Sequence, residues 1–269
     1  MGITLRMGAG YSIDMGDFDF AVSDLSDAYI SKYNSTTIVG YIGGVKITII
    51  GAGFTYNSSG ITGGEIQSIS ETYGGETLFS LSGLRLSVQS IVSAVESGSF
   101  SEAKQLVTSM LSGSDNIFGG EYSDALFGFS GNDYLSGGRG DDALSGGSGA
   151  DKLLGGLGVD HLLGGAGNDT FVYTSALQSN SRVGLDTVSD LTIGDKIDLS
   201  DIDANTGTAG NQAFSFIGTT TFHGKAGELR FEKKASDTYI YGDVNGDKVA
   251  DFALHLDDAV TLSKGFFVL

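Results

Sequence analysis

From residue 110 to residue 172 the apolar side chains of this sequence return every nine residues. They are Ile117, Leu126, Leu135, Leu144, Leu153, Leu162 and Phe171, and an aspartate stands two positions before each: Asp115, Asp124, Asp133, Asp142, Asp151, Asp160 and Asp169. Glycines fill the first half of most units, as in Gly137-Gly138-Arg139-Gly140-Asp141-Asp142. The pattern is the nonapeptide G-G-x-G-x-D-x-U-x, a six-residue turn followed by a three-residue strand. Each unit is half a coil, so turns 18 residues apart stack on the same side. Asp115, Asp133, Asp151 and Asp169 then line one edge, and Asp124, Asp142 and Asp160 the other. The spacing predicts a parallel β-roll.

On either side of this block the pattern changes. Residues 1–108 read as a small α+β module. Phe18–Lys32 has the period of a short amphipathic helix, and Thr36–Ile42, Val45–Tyr56 and Glu65–Thr72 alternate as strands do. Ser87–Glu96 and Ser101–Leu111 read as helices. In residues 173–269 strand alternation is expected over Asp186–Leu199, Ala213–Thr221, Glu228–Glu232, Thr238–Gly242 and Asp251–Leu256. The fold class is mainly β: a roll at 109–172 running into a sandwich-like β cap at 173–269, with the α+β module in front.

Composition narrows the partners. With 33 acidic and 15 basic residues the formal charge is -18, which repels nucleic acid and anionic membranes and suits a collector of divalent cations. No cysteine is present, so there is neither a disulfide framework nor a thiolate metal site. The apolar stretch Ile38–Phe54 contains Lys46 and alternates, so it reads as strand rather than membrane span. Met1-Gly2-Ile3-Thr4-Leu5-Arg6-Met7 lacks the apolar run of a secretory signal.

The chemistry of the nonads points to calcium, a hard cation that takes six to eight oxygens from carboxylates and backbone carbonyls. Glycines allow the sharp turns that aim those carbonyls inward. The candidate ligand positions are the seven repeat aspartates with Gly131, Gly137, Gly140, Gly146, Gly149, Gly155, Gly158, Gly164 and Gly167. One ion in each gap between stacked turns gives about five in the roll. One inward apolar side chain in nine is too little burial to offset the ordering of the other eight, so the roll is expected to need its ions to fold. Asp243, Asn245, Asp247 and Asp251, alternating around Gly246, form a further calcium candidate.

The nonads resemble those of RTX proteins, the calcium-dependent exports of bacterial type I secretion systems. Gly167-Asn168-Asp169-Thr170-Phe171-Val172-Tyr173, Asp195-Lys196-Ile197-Asp198-Leu199-Ser200, Ala226-Gly227-Glu228-Leu229-Arg230 and Gly242–Phe252 resemble segments of serralysin-type C-terminal domains. The resemblance covers about residues 110–269. It implies export by the type I apparatus through an uncleaved C-terminal signal. Gly265-Phe266-Phe267-Val268-Leu269 resembles the apolar end of such signals, although members commonly carry an acidic residue where Gly265 stands.

No H-E-x-x-H zinc helix and no G-x-S-x-G elbow occur, and His161, His223 and His255 are far apart in sequence, reading as surface or packing histidines. The expectation is a secreted, extracellular, non-catalytic calcium-binding protein. Two alternatives attach to it. Residues 52–56 and 64–70 faintly resemble secreted haemophores, with Tyr56 as the iron ligand, though residues 1–108 contain no histidine. The other is a calcium-dependent matrix or adhesion protein.

Overall fold

The computed structural model describes residues 4–7, 29–42, 45–57, 60–74, 76–88, 111–180, 182 and 184–269. Among them the regular structure is nearly all strand. The N-terminal part supplies β1 (Thr4–Met7), β2 (Tyr29–Tyr33), β3 (Thr37–Ile42), β4 (Val45–Asn57), β5 (Gly60–Tyr73) and β6 (Glu76–Ser87). The repeats supply β7 (Asn116–Phe118), β8 (Ala125–Phe127), β9 (Tyr134–Arg139), β10 (Ala143–Ser148), β11 (Lys152–Leu157), β12 (His161–Ala166) and β13 (Thr170–Val172). Then follow β14 (Thr187–Val188), β15 (Lys196–Asp198), β16 (Ser215–Phe216), β17 (Glu228–Lys233), β18 (Thr238–Asp243), β19 (Phe252–Leu256) and β20 (Phe267–Val268).

The nonad spacing sorts the repeat strands into two parallel sheets. Odd-numbered strands β7, β9, β11 and β13 lie in a 12-stranded sheet, and even-numbered β8, β10 and β12 in an 8-stranded one. Register follows the 18-residue coil: Leu135 pairs with Leu153, and Leu144 with Leu162. Ile117, Leu126, Leu135, Leu153, Leu162 and Phe171 are wholly buried between the two sheets, and Leu144 nearly so.

The central strands are six residues long rather than three. In β9 the burial alternates through Tyr134-Leu135-Ser136-Gly137-Gly138-Arg139, so the pleat continues into the glycines and Gly137 takes the second inward position. A larger side chain has no room there, which is why the turn shrinks while the strand grows. The roll also does not stop at residue 172. β14 and β15 join its two sheets beside β12 and β13, so the segment expected as one strand over Asp186–Leu199 is two short strands in different sheets. β19 continues the 8-stranded sheet in parallel, after which β18 and β17 run antiparallel.

The N-terminal strands extend the other sheet. β2 to β6 form an antiparallel run, and β1 sits between β6 and the first roll strand, antiparallel to one and parallel to the other. β3 and β4 lie where the sequence places them, and β5 is longer than expected. Tyr29–Tyr33 corrects the helix expected over Phe18–Lys32: these aromatic and branched residues pair with β3. The remainder of that helix, and residues 89–96 and 101–110 of the helices expected over Ser87–Glu96 and Ser101–Leu111, lie outside the described residues; Ser87 itself ends β6. β6 was not expected. It supplies Leu81 and Leu84 to the buried core.

Burial sets a stability prediction. Leu153→Ala removes a wholly buried side chain and should cost about 2–5 kcal/mol in denaturant unfolding with calcium present. Leu157→Ala, on the same strand but 42% exposed, should change it by less than about 0.5 kcal/mol.

Candidate metal centre

Each repeat aspartate has its carboxylate turned inward, and all seven are at most 4% exposed. One oxygen is spent on the preceding coil. Asp133 Oδ1 accepts from the Asp115 amide at 2.8 Å, Asp142 from Asp124 at 2.8 Å, Asp151 from Asp133 at 2.8 Å, Asp160 from Asp142 at 2.9 Å and Asp169 from Asp151 at 2.9 Å. The two expected edges are therefore real stacks, tied by an aspartate-to-amide ladder.

In four of these aspartates the other oxygen is left over. Oδ2 of Asp133, Asp142, Asp151 and Asp160 is buried with no hydrogen-bond partner. Such an atom costs a kilocalorie or more unless something compensates it. What it faces is informative. At Gly128 the place where a Cβ would stand is 2.5 Å from both Asp133 Oδ2 and the Gly146 carbonyl of the next coil. Gly137 repeats the arrangement with Asp142 Oδ2 and the Gly155 carbonyl, and Gly146 with Asp151 Oδ2 and the Gly164 carbonyl. Each is a cradle of hard oxygens from two successive turns, open only because the residue beside it is glycine. The donor set, all oxygen and rich in carboxylate, fits calcium. When bound, the ion neutralises the stack and joins one turn to the next.

The remaining candidate glycines serve the turns. Gly131, Gly140, Gly149, Gly158 and Gly167 have φ of 138, 102, 135, 148 and 148°. In all five, backbone of the preceding coil occupies the space a side chain would need. Asn132 and Asp141, just before the repeat aspartates, add a second ladder by accepting from the Ala150 and Val159 amides, both at 2.8 Å.

The stacks are longer than the repeat block. Asp186 Oδ1 accepts from the Asp160 amide at 3.1 Å, and Asp195 Oδ1 from the Asp169 amide at 2.9 Å. Asp190 caps the glycine pair above, accepting from Gly164 at 2.9 Å and Gly165 at 2.7 Å. The signal for Asp186 and Asp195 is in the sequence: each has an apolar residue two positions later (Val188, Ile197), and the two are nine apart. The loop at 173–185 breaks the period before it resumes. Asp195 ends its stack, since its Oδ2 takes the Thr192 amide at 2.7 Å.

Asp243, Asn245, Asp247 and Asp251 are brought together as expected, but in a different manner. Asp243 accepts from the amides of Asn245, Gly246 and Lys248, Asn245 from Asp247, Asp247 from Val249, and Asp251 from Val244 and the Asn245 side chain. This loop closes on itself as linked Asx turns, whereas the roll turns leave an oxygen over. Tyr56 pairs with Ile61 across β4 and β5, and its side chain lies outside what the structure describes.

Burial raises the roll carboxyls: Asp133 and Asp142 to about 7, Asp160 and Asp169 to about 6, Asp186 to about 8, and Asp151 upward. Desolvation is the largest cause in each, and the amide bond works against it. Neighbouring carboxylates in the stack add to the rise at Asp133, Asp142 and Asp169. A carboxyl raised in the folded state stabilises that state while protonated, fully below its unfolded value of about 4. That contribution is lost as pH rises through 6 to 8. In chelator the roll should therefore retain more far-UV β signal at pH 5 than at pH 8. Calcium binding near pH 6.5 should release protons, seen as binding heats that vary with the ionisation enthalpy of the buffer.

No curated protein matches the chain. Two solution structures from the mannuronan C5-epimerase of Azotobacter vinelandii are similar to it. The AlgE6R2 subunit is 28% identical over 57% of this chain and 92% of its own, with a TM-score of 0.41. The AlgE6R3 subunit is 25% identical over 58% and 78%, with a TM-score of 0.28. The family model for the peptidase M10 serralysin C-terminal domain matches residues 72–268, most of the sequence and all of the stacked turns, and the chain belongs to that family.

Proposed function

We propose that this is a calcium-folded protein of the RTX type, exported unfolded by a type I secretion system and completed outside the cell, where its role is non-catalytic. The row of buried Oδ2 atoms without partners carries this reading. A stack of desolvated carboxylates is poorly compensated by protein alone and well compensated by a divalent cation between turns. Extracellular modules bind calcium at about 10⁻⁴–10⁻³ M, so the compartment decides whether the roll forms.

One further observation supports export before folding. Phe267 is buried and β20 pairs with β15, while Lys196 Nζ bonds the Gly265 carbonyl. The segment resembling the export signal is thus part of the finished sheet, and the secretion apparatus would meet it as a free peptide only before the roll closes. No helix among the described residues is long and apolar enough to cross a membrane, a statement about helices alone. The division we propose is a module at 1–108 carrying the specific role, the nonapeptide block of the roll at 109–172, and a C-terminal β domain at 173–269 whose β14 and β15 continue the roll's two sheets. About five ions lie in the roll, in the cradles beside the repeat aspartates.

Calcium added to chelated protein should produce a cooperative gain of far-UV β signal with a fall in hydrodynamic radius, at sub-millimolar to millimolar concentration. Replacing Asp151 and Asp160 together by Asn should move that midpoint at least about tenfold upward. Gly146→Ala should do likewise by filling a cradle. A chain equally compact with and without chelator would sink the proposal.

A further inference from the structure

On the outer face of the 8-stranded sheet a second set of ligand atoms converges, away from the calcium turns. The register lines up His161, Thr187, His255 and Tyr239 across four neighbouring strands. Asp237 and Asp257 lie two residues from Tyr239 and His255, so strand alternation puts both on the same face. One ligand atom from each of Asp237, His255 and Asp257 lies within 4.8 Å of the other two.

The histidine is held on both sides. Its Nδ1 is 3.1 Å from Thr187 Oγ1, and its Nε2 is 3.1 Å from Asp237 Oδ1. The Tyr239 ring stacks against it, centroids 5.0 Å apart and planes 26° from parallel. Asp237 is fixed in turn by the Ser236 hydroxyl, which donates to Oδ2 at 2.5 Å. With Nδ1–H donating to Thr187, the Nε2 lone pair faces the Asp237 carboxylate and a cation can sit between them; in the other tautomer Nε2–H donates to Asp237 and the Thr187 hydroxyl to Nδ1, so an ion at Nε2 takes the place of that proton. A hydrogen bond that orients the far nitrogen of an imidazole is the usual support of a metal-binding histidine. The side chains of His255 and Asp237 are 21% and 27% exposed, so an ion can reach them.

From this geometry we infer that Asp237, His255 and Asp257 form a binding site for a divalent transition metal of the zinc class, distinct from the calcium turns. One imidazole and two carboxylates are ligands that zinc takes readily at three positions, leaving the fourth for water. Calcium is disfavoured, because it seeks six to eight oxygens and gains little from a nitrogen. Thr187 is a positioning residue. Lys234, whose ammonium sits 4.6 Å from the Tyr239 ring centroid, is a neighbouring positive charge that weakens the site.

The test uses the full chain saturated with calcium, so that the roll is folded and its cradles are filled, with zinc as the titrant. Calorimetry should show one zinc per chain with micromolar affinity. Histidine NMR should show the His255 ring signals moving while those of His161 and His223 do not. Asp257→Asn leaves both bonds of the His255 ring in place, so it should weaken binding by more than about tenfold without altering the circular dichroism. His255→Gln should abolish binding, His161→Gln should leave it unchanged, and Lys234→Gln should tighten it several-fold. Zinc binding that is only millimolar, or that Asp257→Asn and His255→Gln leave undiminished, would overturn the assignment. Because excess calcium is present throughout, failure here would leave the calcium reading intact, and a chain that calcium does not fold would be recognised before zinc is added.

Discussion

The interaction on which the rest depends is the bond from one coil's aspartate amide to the carboxylate of the aspartate 18 residues on. It fixes the register of the stack, and it does so with half of each carboxylate. The other half is carried into the interior without a partner at Asp133, Asp142, Asp151 and Asp160. A polar group in that position normally counts against a fold. Here it recurs at the same place in consecutive turns, which marks it as a property of the repeat and not a local defect.

Composition follows from that geometry. The glycines are set by what surrounds them: Gly128, Gly137 and Gly146 stand where a Cβ would meet a carboxylate oxygen and a carbonyl of the next coil. Leucine supplies the inward side chain of most units, and in the central strands a glycine takes the second inward position, so each half coil there buries one large side chain. Nine of the 33 acidic residues stand in the two stacks, buried and close enough to repel one another. Protons and divalent cations therefore compete for the same oxygens, and the roll's stability is tied to the solution around it.

The roll was largely legible in the sequence because its rule is strict: an aspartate, then an apolar residue two positions later, every nine. From this came the two edges, the 18-residue register and the buried leucines. Where the rule bends, legibility falls. Asp186 and Asp195 keep the local pattern but follow an irregular loop, so spacing alone did not attach them to the stacks. Tyr29–Tyr33 shows the opposite limit: its apolar period suits a helix, and only the partner strand β3 decides otherwise. At Asp243–Asp251 the residue types are those of a cation loop, yet the same types also make Asx turns, and sequence cannot say which amides lie within reach. His255 gave no signal at all, since its neighbours Asp237 and Thr187 are brought to it by strand pairing.

A structure that repeats by simple translation has an unusual hazard: its last coil is a template for another molecule's first. The termini of this roll differ from its middle in a way that addresses this. At the front, β1 occupies the edge of β7 and hands the sheet to an antiparallel run. At the back, β19 gives way to antiparallel β18 and β17, which a parallel coil cannot continue. Each flank interrupts one sheet only, since the 8-stranded sheet ends at β8 in front and the 12-stranded one at β20, parallel to β15, behind; a further coil could therefore pair through no more than one sheet at either end, which opposes open-ended fibre growth.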